Sequence, residues 1–142
     1  MIHDDDSINQ NYKYITSIKG IGLINAIAII VCSQNFTRFD SGRKFACYAG
    51  VVPFGKSSGT SVYTRPRISK MANQKIKALL TEAAKCTVRF DKNFIDYYQR
   101  KKGEAKEHAV IINNVRNKLI QLCFALVRNQ AYYDADYINC IK

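Results

Sequence analysis

Ile112, Val115, Leu119, Leu122 and Leu126 recur in steps of three and four residues, and Ile76, Leu79, Leu80, Ala83 and Thr87 fall at i, i+3, i+4, i+7 and i+11. A strand would alternate every second residue, so both stretches are set as helices with one buried face. The later stripe suits a core helix or, alternatively, the seam of a dimer. Local signals divide the rest. Residues 7–18 are weakly helical, and Gly20 and Gly22 interrupt them. Residues 23–31 are almost wholly apolar and suit a short buried helix. Asp40 or Ser41 can cap the next helix, which Gly50 stops. Ser69 and Asp91 are placed to cap two more, the second carrying Phe94, Tyr97 and Tyr98 inward and ending near Gly103. The last helix is expected over about 104–130. Pro53, Gly55, Gly59 and Pro66 among β-branched residues make a short β-hairpin or an irregular loop near 51–66. The fold class is therefore mainly α, in one domain of 142 residues.

Charge narrows the partners. Lys and Arg number 22 against 11 Asp and Glu, a formal net charge of +11. Most of it falls in residues 51–110, and residues 56–77 carry Lys56, Arg65, Arg67, Lys70, Lys75 and Lys77 with no acid. Such a balance points to a polyanion. No apolar run reaches the roughly 18 residues of a spanning helix, which argues against an integral membrane protein. The acidic start, Asp4-Asp5-Asp6, lacks the apolar stretch of a secretory signal. Cys32, Cys47, Cys86, Cys123 and Cys140 are scattered, without a Cys-x-x-Cys pair, and the histidines are His3 and His108. This argues against a structural zinc site, and four of the five cysteines, in apolar surroundings, read as small buried hydrophobes in a reducing cytosol.

Three features can carry chemistry. Ile15-x-x-Ile18-Lys19-Gly20-Ile21-Gly22-x-x-x-Ala26 has the form of a helix-hairpin-helix. Its glycines would let a phosphate approach backbone N–H groups at the positive end of the second helix. A plain helical corner is the bland alternative, since Lys19 stands where a proline is common. Ser57-Ser58-Gly59-Thr60-Ser61 places hydroxyls near Arg65, Arg67 and Lys70. A serine is a weak nucleophile without a base or metal, and loop serines are more often only loop residues. Lys70, Gln74, Lys77, Thr81 and Lys85 share the helix face opposite Ile76 and Leu80, a stripe suited to phosphates but not to reading bases. The carboxylates do not cluster as a two-metal nuclease requires, so no metal site or other cofactor is assigned to the chain.

The order of these motifs is itself informative. Ile18-Lys19-Gly20-Ile21-Gly22 is followed by Phe36-x-x-Phe39 and by Arg43-Lys44-Phe45-Ala46-Cys47-Tyr48-Ala49-Gly50-Val51-Val52-Pro53. Ser57-Ser58-Gly59 and Ile68-Ser69-Lys70-Met71-Ala72-Asn73 come next, and Val115-Arg116-Asn117-Lys118-Leu119 closes the series. Together they resemble the C-terminal transposase domain of the insertion-sequence 110/116/902 transposase family, closely over about residues 14–90. On that resemblance residues 1–13 are a terminal or linker segment, 14–90 the transposase core, 91–130 closing helices and 131–142 a tail.

The resemblance implies a bacterial site-specific DNA recombinase acting on element ends and target. Some members are guided by an element-encoded RNA, so a guide RNA is a further candidate partner, and the full-length protein is expected to be a homo-oligomer. It also implies an N-terminal RNase-H-like domain that holds Mg²⁺ with four acids and is not found in this sequence. Ser58 maps to the family's serine nucleophile. Lys19, Gly20, Gly22, Lys56, Arg65, Arg67, Lys70, Asn73 and Lys77 are the candidate nucleic-acid contacts. Ala72 stands where many members have glycine, Lys77 where many have arginine, and Thr60 replaces a second glycine. The isolated chain is expected to bind nucleic acid in the cytoplasm without cutting it. The alternative is a non-catalytic helix-hairpin-helix module for DNA or RNA.

Overall fold

The computed structural model describes residues 6–51 and 70–134, with the side chains of residues 70–73 left aside. Six helices follow in order: α1 (Asp6–Thr16), α2 (Leu23–Cys32), α3 (Gly42–Tyr48), α4 (Lys70–Phe90), α5 (Lys92–Gly103) and α6 (His108–Asn129). No strand occurs among the described residues. The architecture is mainly α. The hairpin or loop expected near 51–66, and the cap expected at Ser69, lie outside the described residues.

α6 is the centre. It packs on α1, α3, α4 and α5, while α2 leans on α1 and α4. Val115 and Leu119 are fully buried, and Ile112, Leu122 and Leu126 nearly so. The repeat that could have been a dimer seam is thus the interior of one chain. By length and composition α6 could cross a bilayer. Here its apolar side is spent on neighbouring helices, and Arg116, Lys118 and Arg128 lie along it. Phe124 meets Phe36 and Phe45 at ring-centroid distances of 4.9 and 5.6 Å, which locks α3 and the segment before it onto α6.

Local chemistry sets the boundaries. Ser41, not Asp40, caps α3, accepting from Lys44 N–H, whereas Asp40 reaches the Lys44 ammonium at 2.6 Å. That hydrogen bond holds the exposed Asp40 carboxyl below its ordinary pKa. Asp91 caps α5 through Asn93 and Phe94 N–H at 3.0 and 3.2 Å and also accepts from the Tyr133 hydroxyl. It is fully buried. Four helices end in the same crossed pair of backbone bonds, with a left-handed residue in between. Gly50 fills that position after α3 at φ 73°, but Gln34, Ala105 and Gln130 fill it after α2, α5 and α6.

Two expectations are corrected. The last helix begins at His108, not near Glu104. Glu104 N–H still bonds Arg100 C=O, and Ala105 turns left-handed, with Lys106 N–H returning to Lys101 C=O. Helical periodicity could not show this break, because residues 104–107 carry no apolar side chain larger than alanine. The apolar run of α2 is buried on one side only: Ala26, Ile29 and Ile30 face inward, while Ile24 and Val31 are about two-thirds exposed. Among the described helices, α2 packs chiefly on α1 and α4.

Left-handed non-glycine residues carry a steric cost of roughly 1–2 kcal/mol. Ala105→Gly is therefore expected to raise stability by about 1 kcal/mol, read as a higher urea midpoint with an unchanged slope. Cys123 is wholly buried, and burial pushes its thiol up to about 12 from an ordinary 9.0. The folded state then keeps a proton that the unfolded state gives up, so stability falls as pH rises from 9.0 to about 12. At pH 8, alkylation of Cys123, followed by peptide mass mapping, should require denaturant.

Candidate functional site

The α1–α2 turn begins where Ser17 and Ile18 N–H groups fold back on Tyr14 and Ile15 carbonyls. Buried Ile18 and Ile21 pin it from either side of Lys19-Gly20, and Lys19 is left in solvent. The two glycines do different work. Gly20 sits at φ 109°, and a Cβ there would collide with the Thr87 hydroxyl and come within 2.9 Å of Thr87 N on α4. Its missing side chain lets the turn touch the α4 backbone. Thr87 is fully buried, its hydroxyl satisfied by Ala83 C=O at 2.7 Å. Gly22 has open space where a Cβ would stand. It is the N-cap of α2, in extended backbone and with no side-chain cap, so among the described residues no side chain caps the first-turn N–H groups of α2.

Thr16, Ile18, Lys19, Gly20, Ile21, Gly22 and Asn25 line one side of a shallow cleft of about 500 Å³, and Glu82 and Cys86 of α4 line the other. The fold thus gathers Lys19, Gly20 and Gly22 at one place beside α4. Glu82 lies 3.2 Å from Lys85, which offsets its charge. Gln74, Lys77 and Lys85 are exposed along α4, opposite Ile76, Leu80 and Ala83, as their spacing requires. Lys70 and Asn73 fall in the first turn of α4. Ser58, Lys56, Arg65 and Arg67 lie outside the described residues.

Sequence reading missed Arg116 as a working residue. Its guanidinium is half-buried and donates to Thr81 Oγ1 at 2.9 Å and to Asn113 Oδ1 at 2.7 Å. Burial lowers its pKa from the ordinary value. No carboxylate pairs with it among the described residues, and its Nε is buried without a partner. Thr81 Oγ1 donates onward to Lys77 C=O, and Asn113 Nδ2 donates to Val51 C=O. Val51, the last described residue before the stretch that holds Ser58, is thus linked through α6 to Thr81 in the middle of α4. The available signal was a cation at position 116, next to core residue Val115. Arg116, Thr81, Lys85, His108, Ala109 and Ile112 line a second cleft of about 230 Å³.

This arrangement joins a polar helical turn, an acid-poor α4 face and an uncompensated guanidinium, and comparison with known proteins gives it a family. Residues 12–99 match the transposase IS116/IS110/IS902 family. The chain belongs to that family. The match takes in the C-terminal part of α1, the turn, α2, α3, α4 and most of α5, and stops before α6. An "Insertion element IS110 uncharacterized 43.6 kDa protein" of Streptomyces coelicolor is 27% identical over 85% of this chain and 30% of that protein. The "Pilin gene-inverting protein" of Moraxella bovis is 24% identical over 94% of this chain and 42% of its own length. A "Probable family 20 transposase" of Pseudomonas aeruginosa is 28% identical over 84% of this chain and 36% of its own. This transposase-family chain therefore spans about a third to two-fifths of the length of these relatives.

The asymmetry of the glycines is testable. Gly20→Ala meets both the left-handed penalty and a backbone clash and should cost about 3 kcal/mol. Gly22→Ala should cost under about 1 kcal/mol, since an extended N-cap accepts any residue. Urea titrations of the two variants check the order.

Proposed function

We propose that this chain is the part of a DNA transposase that grips nucleic-acid backbone and presents Ser58 to a phosphodiester. The observation that carries the binding half is the open N-terminus of α2: Gly22 without a side chain, no cap, and exposed Lys19 beside it. Backbone N–H groups and the helix dipole at such an end favour phosphate. In this reading α1, the turn and α2 act as a helix-hairpin-helix, and Lys77 with Lys70 continues the contact along α4. Neither part reads base identity. Family membership supports the catalytic half. Ser58 Oγ would attack phosphorus, forming a phosphoserine bond and releasing a sugar hydroxyl. Reversal by another strand's hydroxyl would rejoin DNA without ATP. Lys56, Arg65 and Arg67 would offset the charge that builds on the phosphoryl oxygens.

The Mg²⁺ that family resemblance places in an RNase-H-like domain finds no ligand set here among the described residues. No three of His, Cys, Asp and Glu come together there. Glu82 and Asp40 face lysines, and Asp91 caps α5.

The test is binding of residues 1–142 to duplex DNA, a four-way DNA junction and a structured RNA across a salt series. A steep fall of affinity with salt is expected, since each neutralised phosphate adds about 0.9 to the logarithmic slope. Gly22→Val should weaken binding while leaving the circular-dichroism melt in place. With Mg²⁺ present the chain alone should leave DNA uncut. Ser58-dependent cleavage by it would overturn the need for a further domain, and absence of binding at low salt would overturn the whole reading.

A further inference from the structure

The contacts proposed at the turn and along α4 leave the second cleft unused. It lies between α4 and α6, holds about 230 Å³, and is lined by Thr81, Lys85, His108, Ala109, Ile112 and Arg116. This lining contains no carboxylate. Lys85 is already paired with Glu82, which lines the other cleft. His108 Nδ1 lies 2.8 Å from the Tyr98 hydroxyl. Arg116 is different, because both of its hydrogen bonds go to neutral oxygens and no acid stands beside it among the described residues. Residues 52–69, which lead on from Val51, contain no Asp or Glu to supply one.

A strut between two helices does not require a charge here. A neutral amide could donate to Thr81 or Asn113 without desolvating a cation, and a half-buried charge is costly unless a counter-charge meets it. Two of the five guanidinium N–H donors are used, one on each Nη, and Nε is buried. The second hydrogen of each Nη is left for a ligand. Both acceptors are anchored in turn, Thr81 on Lys77 C=O and Asn113 on Val51 C=O, so the fork is aimed in advance. Ala109 and Ile112 add an apolar wall. Thr81 and Lys85 share their side of α4 with Lys77, so the cleft continues the α4 stripe toward α6.

We propose that this cleft is a phosphate subsite: Arg116 takes one backbone phosphate of the nucleic-acid strand that follows the α4 stripe, and Ala109 and Ile112 cover the adjoining sugar. A planar fork suits two oxygens of one phosphate, and the phosphate supplies the counter-charge that Arg116 lacks. Because the guanidinium is held before binding, little side-chain freedom is lost when the strand arrives. The positive end of α6 reinforces the potential there, since Glu107 gives that helix no side-chain cap. The subsite rests on the proposed function for its nucleic-acid partner.

The experiment measures binding of the full chain to labelled random-sequence duplex DNA by fluorescence anisotropy against salt. Two variants add the same carboxylate to the same helix end. Ala109→Glu places it in the cleft, and Val110→Glu places it about 100° further round α6, outside the lining. Both positions are exposed, and the first turn of a helix favours glutamate, so both thermal melts should stay at or above wild type. Ala109→Glu is expected to lose about tenfold in affinity and about 1 in logarithmic salt slope, and Val110→Glu no more than about threefold in affinity. The ring resonances of His108 give a direct view of the cleft. They should shift as DNA is added to wild type, stay in place in Ala109→Glu, and not respond to inorganic phosphate at the same phosphate concentration. If the two glutamate variants bind alike, or His108 ignores DNA, the subsite is overturned. An equal response to inorganic phosphate would overturn its assignment to a strand. Lys19→Gln/Lys77→Gln examines the turn and the α4 stripe separately: weakened binding there beside an unaffected Ala109→Glu rejects the subsite alone, whereas a wild type that binds no DNA rejects both readings.

Discussion

Burial of α6 is the interaction on which everything else in this molecule rests. Four of the other five helices pack against it, and the fully buried Ile111, Val115, Leu119 and Ile120 lie along its length. Hydrophobic burial of this kind is non-directional, so the aromatic contacts do the aiming. Phe124 on α6 sits between Phe36 and Phe45, and the three left-handed residues Gln34, Asn35 and Phe36 are held in place by it. Phe36 N–H on Ser33 Oγ, and Asn35 hydrogen-bonded to Ser7 and Asn11, offset the cost of that backbone.

With the core fixed around α6, polar groups acquire particular tasks. Arg116 sits at the edge of the core, with its two Nη groups committed to neutral oxygens on α4 and on α6 itself. Through Asn113 it reaches Val51, the last described residue before the stretch that contains Ser58. A half-buried guanidinium held in this way is fixed in position, because losing either oxygen would leave a desolvated donor. The transposase family match ends before α6. Yet α6 supplies Arg116 and Asn113, which link the matched part to itself.

The turn between α1 and α2 shows how structure and function share a short sequence. Gly20 serves the fold, since only glycine allows contact with the α4 backbone at Thr87. Gly22 serves no packing role and leaves a helix end open. In the sequence the two look equivalent, as members of one Gly-Ile-Gly motif. The difference arises from Thr87, which is 67 residues away from Gly20 in the chain and belongs to another helix.

What the sequence alone determined is whatever depends on neighbours within about one helical turn. The apolar repeats placed the buried faces of α4 and α6, Ser41 and Asp91 were legible as caps, and Gly50 as a stop, because these interactions reach only three or four residues. The motif order from Lys19 to Asn73 was enough for the family. Only the tertiary structure decided that the α6 stripe faces inward within one chain, that Gly20 is a packing residue, and that Arg116 ties Val51 to α4. It alone set Thr81, His108 and Arg116 around one cleft between α4 and α6. Each of these depends on which helix lies across the interface. That choice is made by the sum of burial over the whole chain, which no local window contains.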